Sequence, residues 1–464
     1  MLLYNAVIRI NDEEYEYLLI RGNRIERIGR GNPPTASRKI NLNGAAILPG
    51  FCDTHTHLSN IALMHSQLDL SGKNREEILN IVRRECEKRK IIVGRGWDES
   101  IWEKKEYLTK EELDEACQKK IVFLVREDGH LAVVNSYAAR IFGISSPEGI
   151  VKEKEVEKIM KKLNLSNTLD FEYAQNYALS KGITCVHDFA NLSTLKKYFD
   201  MHRMGRLKIR IYANFYHSGY SLVKRLGLYS GYGDNFLRIG SLKLFADGSI
   251  GAKTAATRYV DGTEVSPMLT RKKLKKMVSN ANSAGIGVMT HAIGDRAIEE
   301  VIKAYEGTRK NRIEHFELAK EEHISSLGDS ELSMQPNFLK WAKPGGLYER
   351  MLGSAWLTKN NPYRKILDMD KTLFFGSDCM PLDPLFGIDM ALNTPYELQR
   401  ISLNEAIGAY TIGAKYFGTR FGELKEGNVA DLAIIKGNLW EKRDLKNAKI
   451  WVTIVDGKIM YTSE

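Results

Sequence analysis

The sequence predicts an α/β protein: a (β/α)8 TIM barrel with a small composite β domain built from both termini and an insertion after the first barrel strand. Three observations predict it. The centre of the 464-residue chain alternates short apolar strands with amphipathic helices, the pattern of a parallel sheet. Both ends are β-rich and punctuated by turn residues. More than a hundred residues separate the first two strands of the centre, far too many for a loop. The β domain is expected over 1–48 plus 424–464, the barrel over 49–423, and the insertion over about 72–170.

The elements follow in order. LLYNAVIRI, EYLLIRG and AAILPGF read as N-terminal strands. Eight barrel strands are expected: AILPGFCDTHTH, GITCVHDF, KIRIYANFY, GSLKLFADG, GIGVMTHAIG, NRIEHFE, ELSMQPNF and TLFFGSD. After the fifth, Ile298, Val301, Ile302 and Tyr305 recur at helical spacing. After the eighth, Ser402 and Glu405 form a capping box that opens a helix, whose apolar face is Ala406, Tyr410, Ala414 and Phe417. The insertion carries KIIVGRGW, KIVFLVREDGH and charged helical stretches, and is expected to cover the barrel mouth. ADLAIIKG, AKIWVTIVDG and KIMYTS close the chain, with Asp456-Gly457 as a hairpin turn. No GxGxxG follows the first strand, so a dinucleotide site has no support.

Composition removes several function classes. No apolar run reaches the ~18 residues of a membrane-spanning helix, and the N-terminus lacks the basic region of a signal peptide. Net charge is +10, but Lys alternates with Glu over much of the chain, which reads as solvated helix faces rather than a nucleic-acid surface. Five cysteines, at 52, 86, 117, 185 and 379, show no CxxC spacing. They are expected to be reduced, in a cytoplasmic protein.

The chemistry gathers at the C-terminal ends of the predicted barrel strands, where barrel enzymes carry their active sites. His55 and His57 end the first strand, and residues i and i+2 share a face. Lys243 sits between Leu242 and Leu244, where an ammonium is costly unless paired or chemically changed. A salt bridge to Asp247 is one reading; uptake of CO2 to form a metal-bridging carbamate is the other. His291 and His315 end the fifth and sixth strands, and Asp378 follows the eighth. Each alone is modest. Together, imidazoles and carboxylate are the ligands of zinc and similar first-row metals. From the insertion, Asp128, His130 and Trp97 are candidate substrate contacts, and Gln335 and Asn337 end the seventh strand. His187 is ambiguous; His65, His202, His217 and His323 lie off the strand ends.

In this order the residues resemble the amidohydrolase superfamily of metal-dependent hydrolases. LPGFCDTHTH is similar to its first-strand signature and EGNVADLAII to its C-terminal return. SLKLFADGSIGAKTA, MTHAIGDRA, RIEHFE, GSD, GRGWDES and VREDGHLAVVNS resemble amidohydrolase family 3, the branch that includes N-substituted formamide deformylases. The resemblance implies that His55, His57 and Asp378 bind the more buried metal and that His291 and His315 bind a second. A carboxylated Lys243 would bridge them. One or two divalent ions are implied, zinc first, with manganese or iron as alternatives.

The implied activity is hydrolysis of a non-peptide C–N bond, of amide type, in a small molecule. Metal-activated hydroxide attacks, and Asp378 handles the proton. The competing reading is a catalytically silent barrel acting as a scaffold or interaction protein; retention of all six ligand positions disfavours it. A small-molecule substrate, no nucleic acid, no membrane and room for a homo-oligomer complete the expectation.

Overall fold

The computed structural model describes residues 1–463 apart from 12, 65–66, 164–168, 309–310 and 442–444. His65 therefore lies outside the described residues. Eight parallel strands form the central sheet in chain order. They are Phe51–Thr56, Ile183–Ala190, Arg210–Tyr216, Leu237–Phe245, Val288–Ala292, Arg312–His315, Glu331–Met334 and Leu373–Phe375. All eight predicted segments overlap one of them, and the fourth strand begins three residues earlier than its segment. Nearly every residue in these strands is buried, as a parallel sheet covered by helices requires.

The eighth strand returns to the first. Thr54 Oγ1 donates to Phe375 O at 3.0 Å, Ser377 N to Asp53 Oδ1 at 2.9 Å, and Asp378 N to His55 O at 2.8 Å. Gly376 makes this approach feasible: a Cβ there would lie 2.4 Å from His55 N. Helices pack outside. Asp295–Tyr305 buries Ile298, Val301, Ile302 and Tyr305. Leu403–Ala409 opens on the Ser402–Glu405 capping box. It ends sooner than the periodicity suggests, and a 3-10 turn, Ile412–Phe417, carries Ala414 and Phe417 inward.

A second, seven-stranded sheet draws on both ends of the chain. Its order is Lys458–Thr462, Ile450–Val455, Leu432–Ile435, Lys39–Pro49, Leu2–Ile10, Glu13–Arg21 and Arg24–Gly29. The segment AILPGFCDTHTH is thus two strands, one in each sheet, with the switch at Gly50. There a Cβ would meet the Thr184 side chain at 2.3 Å. The 456–457 turn has positive φ at both residues, the conformation that Asp-Gly favours. Arg210, fully buried on the third barrel strand, donates to Asp431 at 2.6 and 2.9 Å and so ties the two sheets together.

The long stretch after the first barrel strand folds as its own five-stranded sheet, ordered Ile150–Lys152, Leu131–Val134, Ile121–Arg126, Ile91–Trp97 and Leu68–Asp69. Packing of helix Arg75–Lys88 beside Lys110–Ala116 brings Cys86 and Cys117 into a disulfide. This corrects the expectation of five reduced cysteines. A 31-residue separation in sequence carries no sign of that proximity. Among the described residues no helix is long and apolar enough to cross a membrane.

Candidate metal centre

Parallel strands all deliver their last residues to one end, so side chains distant in sequence converge there. His55, His57, Lys243, His291, His315 and Asp378 all line one cavity of about 450 Å³. The ligand atoms of His55, His57 and Asp378 lie within 4.8 Å of one another. His57 Nε2 is 3.2 Å and His55 Nε2 3.8 Å from Asp378 Oδ1. The His315 ring lies 4.7 Å from that of His55 and 4.3 Å from that of His291. Lys243 Nζ sits 3.5 Å from His55 Nε2 and 3.9 Å above the Phe189 ring.

The backbone is strained where it aims two of these groups. His315 has φ 73° and Asp378 φ 52°, left-handed values that non-glycine residues seldom adopt. Such strain collects at functional sites, where the surrounding fold holds it in place.

The hydrogen bonds leave the right atoms free. Glu314 binds His55 Nδ1 at 2.5 Å, so Nε2 is the lone-pair atom aimed at Asp378. His291 Nε2 donates to Gly248 O at 3.0 Å, which leaves Nδ1 for a ligand. His315 Nδ1 is buried and has no hydrogen-bond partner. Orphaned buried nitrogen is rare, and this one belongs to a ring that stands among the imidazoles of His55 and His291. Tyr216 OH lies 3.4 Å from His57 Nδ1. Asp188 accepts from Leu58 N at 2.6 Å and from Tyr198 OH at 2.7 Å, which fixes the start of the helix after His57.

Electrostatics agree with ligation. Burial, followed by the charge of Lys243, lowers His55 to about 4. Burial depresses His291 and His315 as well, so all three are neutral imidazoles, the form that binds metal. Burial works against an ionised Asp378, yet His55, His57 and Lys243 hold it well below the usual carboxylate range. Burial lowers Lys243 to about 8. Asp247 is not its salt-bridge partner: that carboxylate accepts from Ala256 N, Ile293 N and Gly294 N at 2.9, 3.0 and 2.7 Å. Burial raises Asp247 to about 7.

The insertion supplies the facing wall through Arg95, Asp128, His130 and Glu153. His130 Nδ1 is 3.0 Å from Glu153. Burial opposes its charged form, but Glu153 and Asp128 outweigh this and raise it to about 9. Two of the expected substrate contacts are corrected. Trp97 is fully buried in the insertion's own core, stacked on Trp102, with Nε1 donating to Leu124 O. Gln335 lies next to His315 but outside the cavity wall, and donates to Ser333 O. Asn337 donates to Pro381 O. His187 lies below the site, while His202, His217 and His323 face Asp234, Tyr220 and the Lys320 backbone. Sequence reasoning missed Glu314, Tyr216 and Arg95. Glu314 precedes His315 in RIEHFE, and a carboxylate in an apolar strand beside a ligand was the available signal.

Two relatives align over nearly the whole length. YtcJ of Bacillus subtilis strain 168, designated an amidohydrolase, is 28% identical over 93% of this chain and 91% of its own. The N-substituted formamide deformylase of Arthrobacter pascens is 22% identical over 99% and 98%. A crystal structure of a metal-dependent hydrolase from Pyrococcus horikoshii OT3 superposes with TM-score 0.76 at 26% identity, covering 99% of each chain. A family model described as the amidohydrolase family matches residues 38–461, most of the 464-residue chain, and the chain belongs to that family.

Proposed function

We propose that the protein is a metal-dependent hydrolase that cleaves a non-peptide C–N bond, of amide type, in a small molecule. The observation that carries this reading is the convergence of ligand atoms of His55, His57 and the ionised Asp378 within 4.8 Å, in one cavity with His291 and His315. In this reading His55, His57 and Asp378 hold one divalent ion and His291 and His315 a second. Zinc suits this donor set, and manganese or iron can share it. A divalent cation supplies Lewis-acid polarisation of a carbonyl and lowers the pKa of water.

The protein's own groups do the rest. Asp378 takes the proton of the attacking water and returns it to the leaving nitrogen, since an amine departs poorly without it. Glu314 orients His55, and Tyr216 steadies His57. Lys243 has no ion-pair partner among the described residues and a pKa lowered to about 8, so a neutral amine is accessible for reaction with CO2. As a carbamate it would exchange a repelled cation for a bidentate anion.

The test is metal analysis and amine release from a panel of N-formyl and N-acetyl compounds, before and after chelation and reloading. We expect activity that follows metal content. Failure to retain any zinc or manganese after reloading overturns the reading. Lys243→Ala should lose metal and activity together, and a short carboxylic acid in the buffer should restore part of both.

A further inference from the structure

At and beside the cavity wall contributed by the insertion, cations are frequent and most are committed. Arg126 is held by Glu99 at 2.8 and 2.9 Å and by Asp128 at 2.8 Å. Lys340 pairs with Glu127, and His130 with Glu153. Two are unpaired among the described residues: Lys154, which is exposed to solvent, and Arg95. Arg95 sits on the strand Ile91–Trp97, half-buried, and its guanidinium lies over Gly129, where a Cβ would come within 2.9 Å of Nη2. The guanidinium makes no hydrogen bond or ion pair with any described residue. Arg95 lines the cavity that holds the four histidines, and also the adjoining cavity of about 360 Å³ beside Asp69 and Cys379.

A guanidinium withdrawn from water without a partner is costly, and natural proteins keep such a group where an incoming anion will pair with it. Its planar fork matches a carboxylate in bidentate geometry. The acidic neighbours Asp128 and Glu127 are spent on Arg126 and Lys340. Arg95 is then the one part-buried, unpaired cation that the insertion places on this wall, and these carboxylates would repel a multiply charged group, which favours a monoanion. Phe338, Trp341, Leu347 and Ile250 give the wall an apolar part.

We propose that Arg95 is the specificity-determining anion site of this cavity, and that the substrate is a small, partly apolar molecule carrying a carboxylate in addition to the bond that is cleaved. The proposal rests on the reading of the cavity as a hydrolase site. It adds what the histidine cluster does not decide, namely which molecules dock there.

The experiment compares N-acetyl amino acids of apolar side chain with their neutral carboxamides on zinc-reloaded protein. Binding is followed by calorimetry and hydrolysis by amine release. The acids should bind more tightly than the amides, and Arg95→Gln should reduce that preference by roughly 10- to 100-fold. Arg95→Lys should restore part of it. Near-UV circular dichroism and equal zinc content confirm that the variants are folded and loaded. Equal or undetectable binding of acids and amides by the native protein overturns the proposal. So does a preference that survives Arg95→Gln, because the carboxylates would then be held by the metals alone. Preference without hydrolysis of any probe would keep the anion site and sink the hydrolase reading, so the two failures are distinguishable.

Discussion

Two layers of buried histidine lie inside this barrel, and they differ in what their nitrogens touch. In the lower layer His187 accepts from Arg312 Nη1 at 2.8 Å and donates to Gly413 O at 3.1 Å. Arg312 in turn binds Glu314 at 2.6 Å and Thr54 O at 2.8 Å. In the upper layer His315 is equally buried but keeps an orphaned Nδ1, and His291 has one nitrogen without a protein acceptor. Burial alone does not separate a structural histidine from a ligand; the census of its two nitrogens does. The same census decides a second group. Cys52, Cys185 and His187 stand close enough for an ion, but both nitrogens of His187 are already engaged. Glu314 links the layers, binding Arg312 on one side and His55 on the other.

The contrast can be broken from either side. The largest effect should come from above: Asp378→Asn is expected to lower kcat by about 10²- to 10⁴-fold, the usual worth of a positioned proton carrier. Thermal unfolding should show little accompanying loss of stability. From below, Arg312→Met should destabilise by about 3–5 kcal/mol, because it strands the buried carboxylate of Glu314. Urea unfolding measures it, and an unchanged midpoint would refute the structural role of the lower layer.

A smaller effect tests the seam that joins first and eighth strands. Gly376→Ala should cost about 1–3 kcal/mol, since its Cβ would press on His55 backbone and side chain. The variant should also weaken metal retention, which a core substitution elsewhere in the barrel would not.

The smallest effect concerns the lid wall. His130 has a folded pKa of about 9, above its ordinary 6.5. Its pairing with Glu153 therefore stabilises fully below the unfolded value and fades as pH rises through about 9. His130→Gln should cost at most about 1 kcal/mol near pH 6, the pair being partly exposed, and nothing near pH 10. Chemical unfolding at the two pH values checks the sign.

The sequence by itself determined the barrel and its eight strands, because alternation of apolar strand and amphipathic helix is a local, periodic signal. It also placed His55, His57, Lys243, His291, His315 and Asp378 at strand ends, and parallel strands necessarily carry their ends to one face. What only the tertiary structure decided are the relations between side chains far apart in sequence. The disulfide between Cys86 and Cys117 and the removal of Trp97 into the insertion's core depend on how that segment folds on itself. That the Arg95 guanidinium is left unpaired depends on Arg126 and Lys340 having claimed nearby carboxylates. Composition and spacing report which groups a chain owns. Which of them remain unpaired is settled only when packing has assigned every other partner.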